Sequence, residues 1–170
     1  MNPTHILITG GAGAIGAQLA ARFRQQHPDA SLTLVDLNPD ALEPVARQHD
    51  ACAEICDLTD IDALAEWWQS LVDRRGPVDV LVNCAGIMDI MTLTGTGWER
   101  GKRLIDINFT APMRLMDLAL PNMIEHRHGC VINVSSMAGR VPIRGCSYYG
   151  GAKAGIGLAS EIARLDLKKQ

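Results

Sequence analysis

Short apolar runs alternate five times with longer amphipathic segments along this chain of 170 residues. Strands are predicted at residues 5–9, 31–36, 51–55, 78–83 and 130–135. Four of these five runs are apolar almost throughout, which is typical of strands that are covered on both faces of a sheet. Strands that alternate with helices in this way predict an α/β fold with a doubly wound parallel sheet.

The segments between the strands carry the helical period. Helices are predicted at Ala14–Gln26, Pro39–His49, Asp60–Arg74 and Gly101–His126, with a last helix from Ser147 onward. The segment Met91–Gly97 is rich in Thr and Gly and is predicted to be a loop. No internal repeat or linker interrupts the pattern, so residues 1–170 are expected to form a single domain.

Composition excludes several classes of protein. The net charge of −3 and the pI near 5.9 do not favour nucleic acid or an anionic membrane as a partner. No stretch approaches the roughly 20 apolar residues of a membrane span, and MNPTHILITG lacks the basic start of a signal peptide. The five cysteines have no metal-ligand spacing, so we expect free thiols, no metal site and a cytoplasmic location.

A glycine-rich turn, TGGAGAIG at residues 9–16, follows the first predicted strand. Gly11, Gly13 and Gly16 match G-x-G-x-x-G at the point where a strand gives way to a helix. Glycines at such a turn allow positive φ and close approach of a pyrophosphate, and the free N–H groups of the helix then face the phosphates.

Polar residues end each apolar strand. Asp36 follows Gly16 by 20 residues, the spacing expected for a carboxylate that binds the ribose hydroxyls of NAD and repels the 2′-phosphate of NADP. Thr9, Asp57, Asn83 and Ser136 stand at or just beyond the ends of the other strands. Since the carboxyl ends of parallel strands share one edge of a sheet, these residues predict a ligand-binding edge.

These motifs resemble the short-chain dehydrogenase/reductase family over essentially the whole chain. The resemblance rests on the Thr9–Gly16 turn, Asp57-Leu58, Asn83-Cys84-Ala85-Gly86, Asn108, Ser136 and Tyr149-x-x-x-Lys153, which stand in the family's order. Ser136 precedes Tyr149 by 13 residues, the interval of the family, so Tyr149 rather than Tyr148 matches the catalytic tyrosine.

The resemblance implies NAD(H)-dependent hydride transfer between a secondary alcohol and a ketone. Tyr149 would be the general acid/base, Ser136 would polarise the carbonyl, and Asn108 would anchor a water in a proton relay. Lys153 would hold the nicotinamide ribose and lower the pKa of the tyrosine. The implied cofactor-binding residues are Thr9, Gly10, Gly11, Gly13, Ala14, Ile15, Gly16, Asp36, Asp57, Leu58, Asn83, Ala85, Gly86, Tyr149 and Lys153.

Elementary electrostatics agrees with a lysine beside a catalytic phenol. A phenol of pKa about 10 needs roughly 4 kcal/mol of stabilisation of its anion to exchange protons at neutral pH. A helix N-terminus supplies only about 0.3–1 kcal/mol. An ammonium a few Å away supplies about 4 kcal/mol at an effective dielectric near 20. Residues four apart on a helix, such as Tyr149 and Lys153, are neighbours that can make this contact.

The sequence departs from the family pattern at several positions. Ala14 replaces a glycine of the commonest branch, so the turn fits the T-G-x-x-G-x-x-G form of the extended branch. Gly101 stands where a tryptophan is usual, and Trp98 lies three residues earlier, which indicates a lengthened entry to the helix. Gly150 and Gly151 would cost about 2 kcal/mol relative to alanine inside a helix.

The largest departure is at the C-terminus, where the family continues into further strands and a substrate-covering segment. We therefore expect a sheet of order 3-2-1-4-5 without the family's last strands, and strand 130–135 as an open apolar edge. Two functions follow as alternatives: an NAD-dependent dehydrogenase or reductase, or a catalytically weak dinucleotide-binding or interaction module. The resemblance also implies a homodimer or homotetramer.

Overall fold

The computed structural model describes residues 4–168, so the ends of the predicted 1–170 domain lie outside the described residues. Five parallel strands form one sheet in the order β3-β2-β1-β4-β5. The strands are β1 His5–Thr9, β2 Ser31–Asp36, β3 Cys52–Ile55, β4 Val80–Asn83 and β5 Cys130–Asn133. This order confirms the predicted doubly wound sheet, and all five strands lie where they were predicted, three of them with shorter bounds.

Seven α-helices alternate with the strands in the described chain. They are α1 Ala14–Gln26, α2 Pro39–Gln48, α3 Leu64–Arg75, α4 Leu93–Thr96, α5 Trp98–Ile105, α6 Ala111–Glu125 and α7 Ser147–Leu167. A π-helical turn, Asp106–Thr110, joins α5 to α6, and a 3₁₀ turn, Met137–Gly139, follows β5. The helices carry the chain back to the start of each next strand, as a parallel sheet requires.

Two predictions about the segment between β4 and β5 were wrong. The predicted loop Met91–Gly97 contains the short helix α4, which Thr92 caps by accepting a hydrogen bond from the Gly95 N–H at 3.2 Å. The single helix predicted at Gly101–His126 begins at Trp98 and is interrupted by the π-helical turn. A periodicity of apolar residues does not reveal a single wide turn, because the extra residue shifts the helical face only locally.

Both faces of the central strands β1, β2 and β4 are largely buried, as their continuous apolar runs predicted. On one face Leu7 and Leu81 pack against Leu71 of α3 and Leu115 of α6. The opposite face is covered by α1 and α2, and its core contains Ile6, Ile8, Leu32, Leu34, Ala20 and Leu42. Burial of these apolar side chains is the main stabilising term of the fold, at about 25 cal/mol per Å² removed from water.

The outer edge of β5 is open within residues 4–168. β5 pairs only with β4 there, and its Ile132 side chain is exposed. A groove of about 750 Å³ runs beside the strand between α6 and α7. None of the predicted site residues lines this groove.

In the part of the chain that the structure describes, no helix is long and apolar enough to cross a bilayer.

Candidate active site

Two glycines of the turn after β1 are required by close approach. Gly10 has φ +69°, and a Cβ atom there would lie 2.8 Å from the Ala85 Cα, so the turn touches the end of β4. A Cβ atom at Gly16 would overlap the Gly10 carbonyl oxygen. These contacts bring the start of α1 directly against the strand ends, where a side chain at either position would push the two apart.

The N-terminus of α1 is open towards this edge. Gly13 is the N-cap residue and provides no side chain to cap the helix, while its own N–H bonds the Gly10 carbonyl at 3.0 Å. The N–H groups of the first helical turn have no intrahelical acceptor. Ala14 and Ile15 are exposed there, so the turn presents backbone donors and the positive end of a helix to an anion.

Asp36, at the end of β2, fixes the geometry beside the turn. Its Oδ2 accepts a hydrogen bond from the Ala12 N–H at 3.1 Å, and its Oδ1 accepts one from the Leu37 N–H at 2.8 Å. The carboxylate is thereby held in one orientation at the edge of the cleft described next. A carboxylate oxygen can accept a second hydrogen bond, so these contacts leave capacity for a sugar hydroxyl.

A cleft of about 430 Å³ runs along the carboxyl ends of the strands. Ten of the predicted cofactor-binding residues line it: Gly10, Gly13, Ala14, Ile15, Gly16, Asp36, Asp57, Leu58, Ala85 and Gly86. The strand ends and the resemblance to the family together implied these residues, and the structure brings them around one cavity.

Three predicted cofactor-binding residues lie behind the wall of the cleft. The Thr9 hydroxyl oxygen accepts hydrogen bonds from the Cys84 and Ala85 N–H groups, each at 3.1 Å, and so ties β1 to the end of β4. Gly11 is buried, and a Cβ atom there would lie 2.7 Å from the Leu34 Cβ. Asn83 is buried at the end of β4. These residues shape the wall rather than face the cavity.

Asp57 is a stable anion at one end of the cleft. Hydrogen bonds from the Thr59 hydroxyl at 2.7 Å and the Thr59 N–H at 2.9 Å lower the pKa of the Asp57 carboxyl, and the charge of Arg103 adds to this effect. The side chain is exposed and close to Leu58, which lines the same end. Asp57 therefore offers a hydrogen-bond acceptor beside an apolar surface.

Asn108 is buried in the π-helical turn between α5 and α6. Its Nδ2 donates hydrogen bonds to the Ile87 carbonyl at 2.8 Å and to the Leu104 carbonyl at 2.9 Å. Its Oδ1 is buried and has no partner among the described residues. A Cβ atom at Gly86 would lie 2.7 Å from this oxygen. The amide oxygen therefore faces the space that the glycine leaves open.

Lys153, on α7, reaches the same place from the other side. A Cβ atom at Gly86 would lie 3.5 Å from the Lys153 Nζ, which donates a hydrogen bond to the Val134 carbonyl at 2.8 Å. The Lys153 Nζ is 6.0 Å from the centroid of the Tyr149 ring. Burial lowers the pKa of Lys153, because a charged amine loses hydration inside the protein.

The two tyrosines of α7 have different surroundings. Tyr149 is partly exposed near Lys153, whereas the Tyr148 ring packs against Gly101 of α5. Ser136 caps the 3₁₀ turn after β5, since its hydroxyl oxygen accepts a hydrogen bond from the Ala138 N–H at 3.2 Å. The preceding Ser135 donates to the Lys153 carbonyl at 2.9 Å. The end of β5 therefore contacts α7 at the turn that carries Tyr149 and Lys153.

Comparison with known proteins agrees with this geometry. The family model described as short chain dehydrogenase matches residues 4–170. The chain belongs to the short-chain dehydrogenase family. It is 28% identical to an uncharacterized oxidoreductase of Staphylococcus epidermidis, a match that covers 95% of this chain and 73% of the relative. Membership makes the chain part of an oxidoreductase family with a nucleotide-binding fold.

Solved structures of the family superpose closely on this chain. A metagenomic short-chain oxidoreductase in complex with NADP has a TM-score of 0.92 at 28% identity, and the match covers 98% of this chain and 77% of that protein. An NAD⁺-bound xylitol dehydrogenase has a TM-score of 0.88 at 29% identity, with 99% of this chain and 66% of that protein covered. These relatives bind different dinucleotides, so family membership does not decide between NAD and NADP.

In this family member a chain of hydrogen-bonded polar side chains runs from the buried Asn83 to the half-buried Asn133 and Ser160. The Asn83 Nδ2 donates to the Asn133 Oδ1 at 2.8 Å, and the Asn133 Nδ2 donates to the Ser160 hydroxyl at 2.8 Å. Ser160 in turn donates to the Ile156 carbonyl of α7 at 2.6 Å. This chain links β4, β5 and α7, and it fixes the position of α7 along the sheet.

Exposed apolar residues lie on the loops that follow β4 and β5. The two loops meet, because the Met91 N–H donates to the Gly145 carbonyl at 2.9 Å. The exposed apolar side chains of these loops are Ile87, Met88, Ile90, Met91, Met137, Val141 and Ile143, and Ile87 also lines the cleft. These side chains form an apolar surface on two loops that hydrogen-bond to each other.

Sequence reasoning missed several residues that line the cleft: Leu37, Cys56, Thr59, Cys84, Arg103 and Ile107. Most of them are next to predicted residues and could have been found by extending each strand end. Arg103 and Ile107 are four residues apart on α5 and the following turn, so they share one helical face. Only the packing of that helix against the sheet edge shows that this face borders the cleft.

Proposed function

We propose that this chain binds NAD(H) and interconverts a secondary alcohol and a ketone by hydride transfer. The observation that carries the proposal is the convergence of Lys153 and Asn108 on Gly86 at one end of the cleft. A buried ammonium and an unpaired buried amide oxygen are costly unless a ligand or water uses them. Both groups therefore favour a polar ligand at this position.

The bound dinucleotide would supply or accept the hydride. Tyr149 is the proposed general acid/base and moves a proton between its phenolic oxygen and the substrate oxygen. Lys153 is the proposed cation beside this side chain, because its Nζ lies 6.0 Å from the centroid of the Tyr149 ring. Ser136 donates a hydrogen bond to the substrate oxygen, and Asn108 holds a water on the proton path from Lys153.

The residues that line the cleft fit a dinucleotide. The N-terminus of α1 suits the pyrophosphate, because no side chain within residues 4–168 caps its first backbone N–H groups. Asp36 is the proposed partner of the adenosine ribose, and its negative charge disfavours a 2′-phosphate. We therefore propose a preference for NAD(H) over NADP(H), which rests on Asp36 because the relatives include proteins with either dinucleotide.

The proposed substrate is an apolar alcohol or ketone. The loops after β4 and β5 carry exposed isoleucine and methionine side chains, such as Ile87, which lines the cleft, and Ile90, which is 66% exposed. Transfer of an apolar substrate surface from water onto these side chains would favour binding. Methionine adapts its shape readily, which suits a substrate site of broad tolerance.

A second copy of the chain is the proposed partner. Leu158, Ile162 and Leu165 lie on one face of α7 and are 64%, 50% and 56% exposed. Their spacing is that of a helical stripe that packs against another helix. Association of two copies through α7 would bury this stripe, and sedimentation of Leu158→Glu against the unchanged chain tests it.

One observation favours the second candidate function, a dinucleotide-binding interaction module. The outer edge of β5 has no partner strand within residues 4–168, and the groove beside it is apolar at its base. An open strand edge is suited to pairing with another chain. This candidate predicts dinucleotide binding without turnover.

The deciding experiment is a titration of the 170-residue chain with NADH, followed by energy transfer from its three tryptophans. Saturable binding is expected, with NADPH a weaker competitor. In Asp36→Asn the preference for NADH over NADPH should shrink at least several-fold. A folded chain that binds neither dinucleotide would contradict the proposal.

A matched pair of tyrosine variants tests the chemistry. Tyr149→Phe should bind NADH normally and lose turnover in a screen of apolar alcohols and ketones. Tyr148→Phe, one residue away on the same helix, should retain turnover because its ring packs on Gly101. Binding without turnover in the unchanged chain would instead support the interaction module.

A further inference from the structure

Arg103 differs from the other basic residues of α5. Arg100 forms an ion pair with Asp89, and Lys102 forms an ion pair with Asp106 four residues later. Arg103 forms no hydrogen bond or ion pair within residues 4–168 through its side chain, and it lines the cleft together with Ile107. Its planar cation is therefore available to a ligand in the cleft.

The surroundings of Arg103 indicate which part of a dinucleotide it meets. Asp57 and Leu58 line the same cleft, and the charge of Arg103 contributes to the lowered pKa of the Asp57 carboxyl. That carboxylate already accepts two hydrogen bonds from Thr59. The pyrophosphate position at the start of α1 is set by Gly13 and the residues after it. A further anion near Asp57 would be repelled, whereas a neutral planar base would not.

We propose that the Arg103 guanidinium stacks on the adenine ring of the dinucleotide, opposite the apolar surface of Leu58 and Ile107. This inference rests on the proposed binding of NAD(H). A guanidinium is planar and weakly hydrated, so it stacks on aromatic faces more readily than an ammonium does. Arg103 is thus a positioning residue that holds the adenosine half, whereas Lys153 and Asn108 converge on Gly86.

Three ligands and three variants test the inference. Dissociation constants for NADH, NADPH and reduced nicotinamide mononucleotide are measured for the unchanged chain, Arg103→Met and Arg103→Lys. In Arg103→Met the constants for NADH and NADPH should both rise roughly 3- to 10-fold. The constant for the mononucleotide should not change, because that ligand has no adenine. Arg103→Lys should resemble Arg103→Met, since an ammonium lacks the planar face.

The control is Arg100→Met, which removes the same charge from the same helix outside the cleft and should leave all three constants unchanged. Several outcomes would overturn the inference: no change in Arg103→Met, an equal loss for the mononucleotide, or full affinity in Arg103→Lys. A loss confined to NADPH would assign Arg103 to the 2′-phosphate and also overturn it. If the unchanged chain binds neither dinucleotide, the proposed function itself is wrong. A failure of the inference is a different result, because it is measured as a difference between the variants and a chain that does bind.

Discussion

The Tyr148 ring of α7 lies directly over the Cα atom of Gly101 on α5, where a Cβ atom would overlap the ring carbons. The missing side chain at position 101 lets the two helices approach, and the aromatic ring fills the space between them. Gly101 is where the family usually has tryptophan, so in this chain the bulky group comes from α7 instead. The contact also separates the roles of the two adjacent tyrosines.

Gly101→Ala is expected to lower the free energy of unfolding by about 1–3 kcal/mol, the usual cost of overpacking. Urea unfolding measures this change. In a chain that already carries Tyr148→Ala, adding Gly101→Ala should lower the free energy of unfolding much less, because the ring that the new methyl group meets is absent. Additive effects of the two substitutions would show that the residues do not share this contact.

The two glycines inside α7 should respond in opposite ways to alanine. A Cβ atom at Gly150 would lie 2.7 Å from the Ala138 carbonyl oxygen, whereas one at Gly151 would meet open space. Gly151→Ala should raise the free energy of unfolding by about 0.5–1 kcal/mol through helix propensity. Gly150→Ala should lower it, since the gain in propensity is outweighed by the clash. Equal effects at the two positions would contradict the predicted difference.

Stability should depend on pH through His5 of β1. The His5 Nε2 is 2.9 Å from the Thr33 hydroxyl oxygen, and burial lowers the pKa of this histidine below its ordinary 6.5. Below about pH 6.5 His5 binds a proton in the unfolded chain but stays neutral in the native chain, so the free energy of unfolding falls as pH falls. The fall ends below the lowered pKa of the native state.

Urea midpoints of the unchanged chain and His5→Gln between pH 5 and 7.5 measure this contribution. The difference between the two should change with pH in the stated direction, because glutamine does not titrate. His128→Gln, at an exposed histidine, serves as the control and should follow the unchanged chain. Parallel curves for His5→Gln and the unchanged chain would count against the assignment.

The polar chain through Asn133 should contribute to stability as a unit. Asn133→Ala leaves the buried Asn83 Nδ2 without its 2.8 Å partner and the Ser160 hydroxyl without a donor. A cost of about 1–3 kcal/mol in the free energy of unfolding is expected. Ser160→Ala, which interrupts only one end of the chain, should cost less. A larger loss in Ser160→Ala than in Asn133→Ala would contradict the chain as described.

The sequence determined the sheet and one edge of it. Continuous apolar runs such as His5–Thr9 are local signals of buried parallel strands, and their alternation with helices predicted the doubly wound parallel sheet. The resemblance to the family implied the order 3-2-1-4-5, which the structure confirms. The carboxyl ends of parallel strands share an edge, so strand-end residues such as Asp36 and Asp57 could be assigned to one ligand-binding edge from the sequence. The shortened strands and the helix Leu93–Thr96 were missed, because element ends depend on weak local preferences.

Only the tertiary structure decided what the helices bring to that edge. The face of α5 that borders the cleft is set by the packing of this helix against Tyr148, so no local pattern in the sequence indicated Arg103. Asn108 is buried in the π-helical turn that follows α5. The convergence of Lys153 and Asn108 on Gly86 likewise joins three segments that are distant in sequence. Strand periodicity is a property of neighbouring residues, whereas these contacts are set by packing between elements, which a local pattern does not encode.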